Sequence, residues 1–455
     1  MSKFVRDDGR VIYTQTSLTK EQKQAVGLLS IGTFLEYFDL MLYIHMAAFL
    51  NEIFFETTDS HTSSLMTSFA FCSTFVFRPV GALIFGWLGD NIGRKSTVII
   101  TTFMMAASCL VMANLPTYAQ IGSMAAWILT ICRIVQGISS MGEMTGAELY
   151  LTEAINPPAQ YATVGSLGAF AALGEVGALG IASLVTSYGF NWRLAFWLGA
   201  VIALIGSVAR TKLRETPEFA DAKRQLKKVF AETNTDTSTL ENHPIWTIKV
   251  TKKTVLAFFL LQCAAPVCFY FIYILYCGNI LQTSFGYTIS EVIHHNFIIC
   301  IVEFLTVLIL SRLSLKVYPL LILRIILIIC SIFIVFCPYW LNNLHSPYEL
   351  FLIQFIIVLL HECLGPAIPI FYKNFPVFKR FTCASMTFAI SRASMYVITA
   401  FGFTYLVNHF GNWGLWVIMI PIIVGFAYGL LHFEKLEKMA GDYPQPNVKL
   451  ATKAG

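Results

Sequence analysis

Twelve stretches of the chain are apolar over the length that a bilayer-spanning helix needs, about 20 residues. They fall at 26–50, 65–89, 97–114, 121–142, 160–187, 193–210, 254–278, 290–310, 318–337, 349–371, 383–407 and 413–432. Each run is continuous rather than alternating, which excludes a closed barrel. The longest polar segment, Thr211 to Lys253, separates the sixth run from the seventh. The pattern predicts an all-α integral membrane protein with twelve transmembrane helices in two six-helix bundles, 26–210 and 254–432. A tail (1–25), a central loop (211–253) and a second tail (433–455) complete the chain.

The basic residues set the expected orientation, because Lys and Arg accumulate in cytoplasmic loops. Lys3, Arg6, Arg10, Lys20 and Lys23 lie in the first tail, Arg94 and Lys95 after the second run, and nine Lys or Arg residues in the central segment. The alternate loops 51–64, 114–120, 279–289, 338–348 and 408–412 hold no Lys or Arg. Both termini and the central loop are therefore expected in the cytoplasm.

Composition agrees with the pattern. Charged residues make up 13% of the 455, against roughly 25% in soluble domains, and apolar residues make up 56%. Mean hydropathy is +0.66. A disordered chain, a collagen and a disulfide scaffold are excluded. The net charge of +5 adds little. The eleven cysteines include no CxxC pair and read as small buried hydrophobes. No HExxH, GxSxG or Walker loop is present, so no enzymatic chemistry, cofactor, metal or nucleic-acid partner is expected. The polar, mixed-charge start gives no sign of a cleavable signal peptide.

The two halves carry traces of a repeat. Gly189-Phe190-Asn191-Trp192-Arg193-Leu194 opens the sixth run, Gly411-Asn412-Trp413-Gly414-Leu415 opens the twelfth, and the two Asn residues stand 221 positions apart. Parallel six-helix repeats are one known transporter architecture. The sharpest motif closes the second run: Gly86-Trp87-Leu88-Gly89-Asp90-Asn91-Ile92-Gly93-Arg94-Lys95. Its glycines suit close helix approach and a tight turn. Asp90 can accept from Arg94 or from a helix N-terminus. Gly86, Asp90, Gly93, Arg94 and Lys95 are thus candidate gating residues, with an ordinary polar turn as the plain alternative.

This motif resembles the signature of the major facilitator superfamily. Glu36-Tyr37-Phe38-Asp39, Arg78-Pro79-Val80-Gly81, Arg133-Ile134-Val135-Gln136-Gly137 with Gly142-Glu143, Asn191-Trp192-Arg193 and Arg214-Glu215-Thr216-Pro217-Glu218-Phe219 follow in order. Together they resemble the metabolite–proton symporters, the group of proline/betaine, citrate, 2-oxoglutarate and shikimate transporters. The likeness is specific over about the first 220 residues. It implies the major facilitator fold, a bacterial inner membrane, a small solute and protons as partners, the proton as coupling ion, and a monomer. Helices one, four, seven and ten are then expected to line the cavity. The second half departs from the pattern, because Ser311, Ser314 and Leu315 stand where the repeat would place Asp90, Gly93 and Arg94.

Ionisable residues inside apolar runs are costly and are functional candidates by default. Glu36, Asp39 and Tyr43 share one face of the first helix. Arg133 is expected at mid-depth in the fourth helix, facing those acids across a cavity. Arg78 precedes Pro79, Glu143 belongs to a family-like motif, and Glu175 is a lone acid among glycines. A carboxyl away from water takes up a proton readily, so Glu175 is a candidate proton carrier. Glu148 and Glu153 read as solvated or structural, Arg392 as turned to the cytoplasmic membrane edge with binding of a substrate carboxylate as the alternative, and His294 and His295 as interfacial. Glu303, His361 and Glu362 are further candidates in the second half.

These readings lead to a proton-coupled symporter of a small polar metabolite. The leading substrate is an osmolyte such as proline or glycine betaine. Di- and tricarboxylates or shikimate are the alternative, and a non-transporting membrane sensor is the alternative of another class.

Overall fold

The computed structural model of the protein describes residues 2–5, 11–55, 74–224, 250–274, 276–361 and 363–444. Helices dominate. The first half contains α1 (Lys20–Phe54), α2 (Arg78–Asn91), α3 (Arg94–Asn114), α4 (Ser123–Ala154), α5 (Ala159–Tyr188) and α6 (Trp192–Arg210). The second contains α7 (Lys252–Phe285), α8 (Ile289–Leu313), α9 (Pro319–Asn342), α10 (Pro347–Tyr372), α11 (Val377–Phe410) and α12 (Trp416–Ala440). A two-stranded antiparallel ribbon, Ser2–Val5 with Val11–Thr14, precedes them. Among the described residues nine stretches are long and apolar enough to cross a bilayer, and Val377–Ala440 holds two helices. Trp192–Val208 is a shorter apolar helix. The expected start of α2, at 65–73, lies outside the described residues.

Helix edges run past the apolar runs wherever polar turns can project beyond the hydrocarbon. α1 begins at Lys20, α4 continues to Ala154 and α12 to Ala440. Prolines interrupt two helices. Pro266 lacks the amide that would bond to the Gln262 carbonyl, and the first segment of α7 ends at Gln262, before a π turn at Tyr270–Ile274. In α10, Pro366 and Pro369 accompany a 3-10 turn at Gly365–Ala367. Two caps are legible in sequence: Thr288 and Glu291 form a capping box on α8, and Pro319 opens α9.

Within the first half α1 lies along α5, and α3 packs between α4 and α6. In the second, α12 packs on α7 and α9. The most extensive contacts between the halves are α5 against α8 and α2 against α11; α4 also touches α10 and α11, and α5 touches α10. Large apolar side chains remain exposed along the outer faces of α6, α9 and α12 (Leu204, Ile205, Ile325, Ile332, Val424 and Leu431), as expected where lipid replaces water. None of the ten described cysteines forms a disulfide, and nine are buried.

Candidate functional site

The α1 stripe points inward. Asp39 lies 3.7 Å from Arg133 of α4, and Glu36 lies 3.8 Å from Arg78 of α2. Arg133 rests over the Tyr43 ring at 4.1 Å and donates to Gln136 Oε1 at 3.0 Å. The Cys109 thiol of α3 donates to Asp39 Oδ1 at 3.3 Å. All of these groups are buried. Tyr43 Oη, Glu36 Oε2, Arg78 Nε and Arg133 Nε have no hydrogen-bond partner among the described residues. Buried polar atoms are usually satisfied, so these two pairs hold unused bonding capacity. The expected gap between the acids and Arg133 is not present: each acid has its own guanidinium in direct contact.

Glu143 has a different setting. Arg210, at the end of α6, pairs with it and also donates to Thr102 and to the Leu28 and Leu29 carbonyls. Thr101 and Thr102 donate to the other carboxylate oxygen. A side chain on Gly32 would overlap the Arg210 guanidinium, so that glycine makes the room. This closed cluster ties α1, α3, α4 and α6 together.

The motif between α2 and α3 builds a latch across the halves. Asp90 accepts from the Phe381 and Thr382 amides of α11 at 3.0 and 2.9 Å, and lies 3.4 Å from Arg94. Arg94 reaches Glu153 of α4 at 3.1 Å, the Gly89 carbonyl at 2.6 Å and the Val377 carbonyl at 2.8 Å, over the Phe219 ring. Glu153 also meets Arg380 of α11 at 3.3 Å and Thr216 at 2.6 Å, and Arg380 meets Glu218 at 2.9 Å. Gly86 is required because a Cβ would lie 2.8 Å from Thr382 Cα. Gly93 opens α3 at φ 146°, and its Cβ would strike Glu215. Lys95 is half exposed and takes no part in these contacts among the described residues.

Four expectations are narrowed or corrected. Of the two readings of Glu148 and Glu153, solvated or structural, the structural one holds: both are buried, and a chain-distant partner satisfies each. The Tyr372 hydroxyl donates to Glu148 Oε2 at 2.6 Å. Arg392 does not turn to the membrane edge. Gln262 and the Phe388 ring, at 3.1 and 3.5 Å, hold it inside. Ligating groups do cluster, at Glu175, Cys300 and Glu303. His295 bonds to Gln354 at 2.7 Å rather than facing only the interface. Glu362 lies outside the described residues.

A cavity of about 80 Å³ lies between the halves. Its polar wall is Tyr37, Glu148, Gln262, His361 and Arg392, from α1, α4, α7, α10 and α11. Sequence reasoning missed Arg210, Arg380 and Glu153 as partners. Only Arg380 had a signal, since it adjoins the α11 start that Asp90 needs.

A helical bundle of this topology, with a cavity between its halves, is the architecture of a multi-pass membrane protein. Residues 29–374 match the family model of the Major Facilitator Superfamily, and the chain belongs to that superfamily, one of carriers rather than enzymes. It is 36% identical over 226 residues to the inner membrane metabolite transport protein YhjE of Escherichia coli, covering 47% of this chain and 50% of that protein. It is 33% identical over 211 residues to a putative proline/betaine transporter of Staphylococcus aureus, covering 44% and 45%. The proline/betaine transporter of Salmonella typhimurium is 32% identical over 205 residues, with 43% and 41% covered. The chain spans about half the length of the curated relatives it matches. The proton:xylose symporter XylE has the same fold, with TM-score 0.70 at 13% identity over 93% of this chain and 96% of that one. The protein is thus a multi-pass membrane protein of that superfamily.

Proposed function

We propose that the protein imports a small zwitterion, such as proline or glycine betaine, together with protons by alternating access. The observation that carries this reading is the cavity wall, which holds Glu148 from one half and Arg392 from the other. A carboxylate and a guanidinium on facing bundles suit the two ends of a zwitterion, and closing on it draws the halves together. The basic tails and loops support a cytoplasmic latch end. With the latch shut, a solute approaches from the opposite side.

The Asp39–Arg133 pair supplies the proton-sensitive tie. A proton on Asp39 cancels its charge, and Arg133 keeps Gln136 and the Tyr43 ring. The driving force suffices in principle: about 2.3 kcal/mol per charge per 100 mV and about 1.4 per pH unit. No cofactor is needed beyond the proton.

The test is uptake of labelled proline, glycine betaine and 2-oxoglutarate into proteoliposomes with an imposed pH gradient. Gradient-dependent uptake of a zwitterion is expected. Uptake of 2-oxoglutarate alone moves the substrate to dicarboxylates. Zwitterion uptake indifferent to the gradient overturns symport. No flux of any of the three from folded protein favours the sensor.

A further inference from the structure

The outer wall of the second half carries a basic notch. α9 and α12 pack side by side, and their ends frame an open cavity of about 410 Å³. Its cations are Arg324 of α9 and Lys435 and Lys438 of α12. Glu434 is the acid beside them, buried and paired with Arg324. Neither lysine has an acidic partner among the described residues, and Lys438 Nζ lies 4.9 Å from the centre of the Tyr443 ring. The notch therefore keeps a surplus of positive charge. Glu437, next to Lys438, pairs with Lys373, which lies just before the head of α11 that Asp90 holds. That places the notch at the latch end of the molecule.

Two apolar stripes lead away from the notch toward the middle of the bundle. On α12, Val424, Tyr428 and Leu431 run at helical spacing into Lys435 and Lys438, so all five share one face. The three apolar members are 43–62% exposed. On α9, Ile325, Ile328 and Ile332 form a second stripe, 56–59% exposed, with Arg324 at its edge. The negative end of α12 accounts for a lysine in its last turn, such as Lys438. Arg324 has no such support. It lies five residues inside α9, about 7 Å along the axis from Pro319, toward the helix end whose dipole does not favour a cation. Glu434 grips one edge of its guanidinium, which leaves the rest of the fork oriented for a second anion. An occupant that satisfies the whole surface is anionic at one end and apolar along the rest. A soluble phosphate would meet the cations and leave both stripes unused.

We propose that the notch between α9 and α12 binds one anionic phospholipid. Arg324, Lys435 and Lys438 hold its phosphate, and its acyl chains lie along the two apolar stripes. Basic pockets between helices at the cytoplasmic membrane edge suit such head groups. The site belongs to one bundle and does not depend on which solute is carried.

The test uses the full chain purified in nonionic detergent, with thermal unfolding and native mass spectrometry as readouts. Phosphatidylglycerol is expected to raise the unfolding midpoint and to stay bound as a single copy. Phosphatidylcholine and glycerol 3-phosphate are expected to do neither, and equal stabilisation by either one overturns the proposal. Each basic side chain near an anionic head group contributes about fivefold to association. Lys435→Gln combined with Lys438→Gln is therefore expected to weaken phosphatidylglycerol binding about 25-fold, with unfolding in the absence of lipid unchanged. Should the double variant fail to fold, the single variants decide, each with about a fivefold loss. Unchanged affinity in these variants overturns the site. Lys20→Gln combined with Lys212→Gln removes the same charge from exposed positions on the first half and is expected to leave affinity intact. An equal loss there means diffuse attraction to a basic surface and also overturns the site.

Discussion

The repeat gives the molecule two corresponding corners, and they are held by different physics. At the α2–α3 corner, Asp90, Arg94 and Glu153 tie the first half to α11 through buried charge-assisted bonds. At the α8–α9 corner Ser311, Ser314 and Leu315 occupy the matching positions, and Ser311 Oγ has no hydrogen-bond partner among the described residues. Acids reappear on α12, where Glu434 pairs with Arg324, and Glu437 pairs with Lys373 and accepts from Tyr318. These partners all belong to the second half. They brace one bundle and do not latch two. Between halves, Tyr161 meets Tyr318 there, ring edge to face at 6.0 Å. Buried charge ties the halves at the first corner, and among the described residues the matching corner has no such cross-half ion pair.

Four substitutions sharpen or break this contrast. Arg210→Ala strands Glu143 in the first bundle and is expected to cost about 3–5 kcal/mol, read as a lowered unfolding midpoint in detergent. A fall no larger than that of the second-half variants would erase the difference between the halves. Asp90→Ala removes two amide acceptor bonds made by a charged group, each contributing about 1.5–3 kcal/mol. Opening of the seam is expected to speed thiol labelling of half-buried Cys383 on α11; an unchanged rate removes Asp90 from the lock. Lys373→Ala breaks a partly exposed pair and is expected to cost about 1 kcal/mol or less without altering Cys383 labelling. Ser311→Ala is expected to stay within about 0.5 kcal/mol and to leave transport unchanged; a large effect would show that the second corner carries a lock of its own.

The fold was readable because hydropathy is a local signal. The breaks in α7 and α10 were not read, although Pro266, Pro366 and Pro369 mark them, because an apolar run hides an interruption that neighbouring helices re-satisfy. The site was legible where partners are close in sequence or share a known motif: Glu36, Asp39 and Tyr43 on one stripe, and Asp90 beside Arg94. It was illegible where partners meet only in space. Glu153 stands at a helix end and looks solvated until Arg94, Arg380 and Thr216 are brought to it. The pairing of His361 with Glu303 likewise depends on how α8 and α10 pack.

Arg94 is held at once by Asp90 and Gly89 of its own corner, by Glu153 of α4 and by the Val377 carbonyl at the head of α11. A cation so shared cannot surrender one contact cheaply, because every bond in the set polarises the others. Arg94 is therefore a shared knot of the shut arrangement, in which loss of one contact weakens the rest.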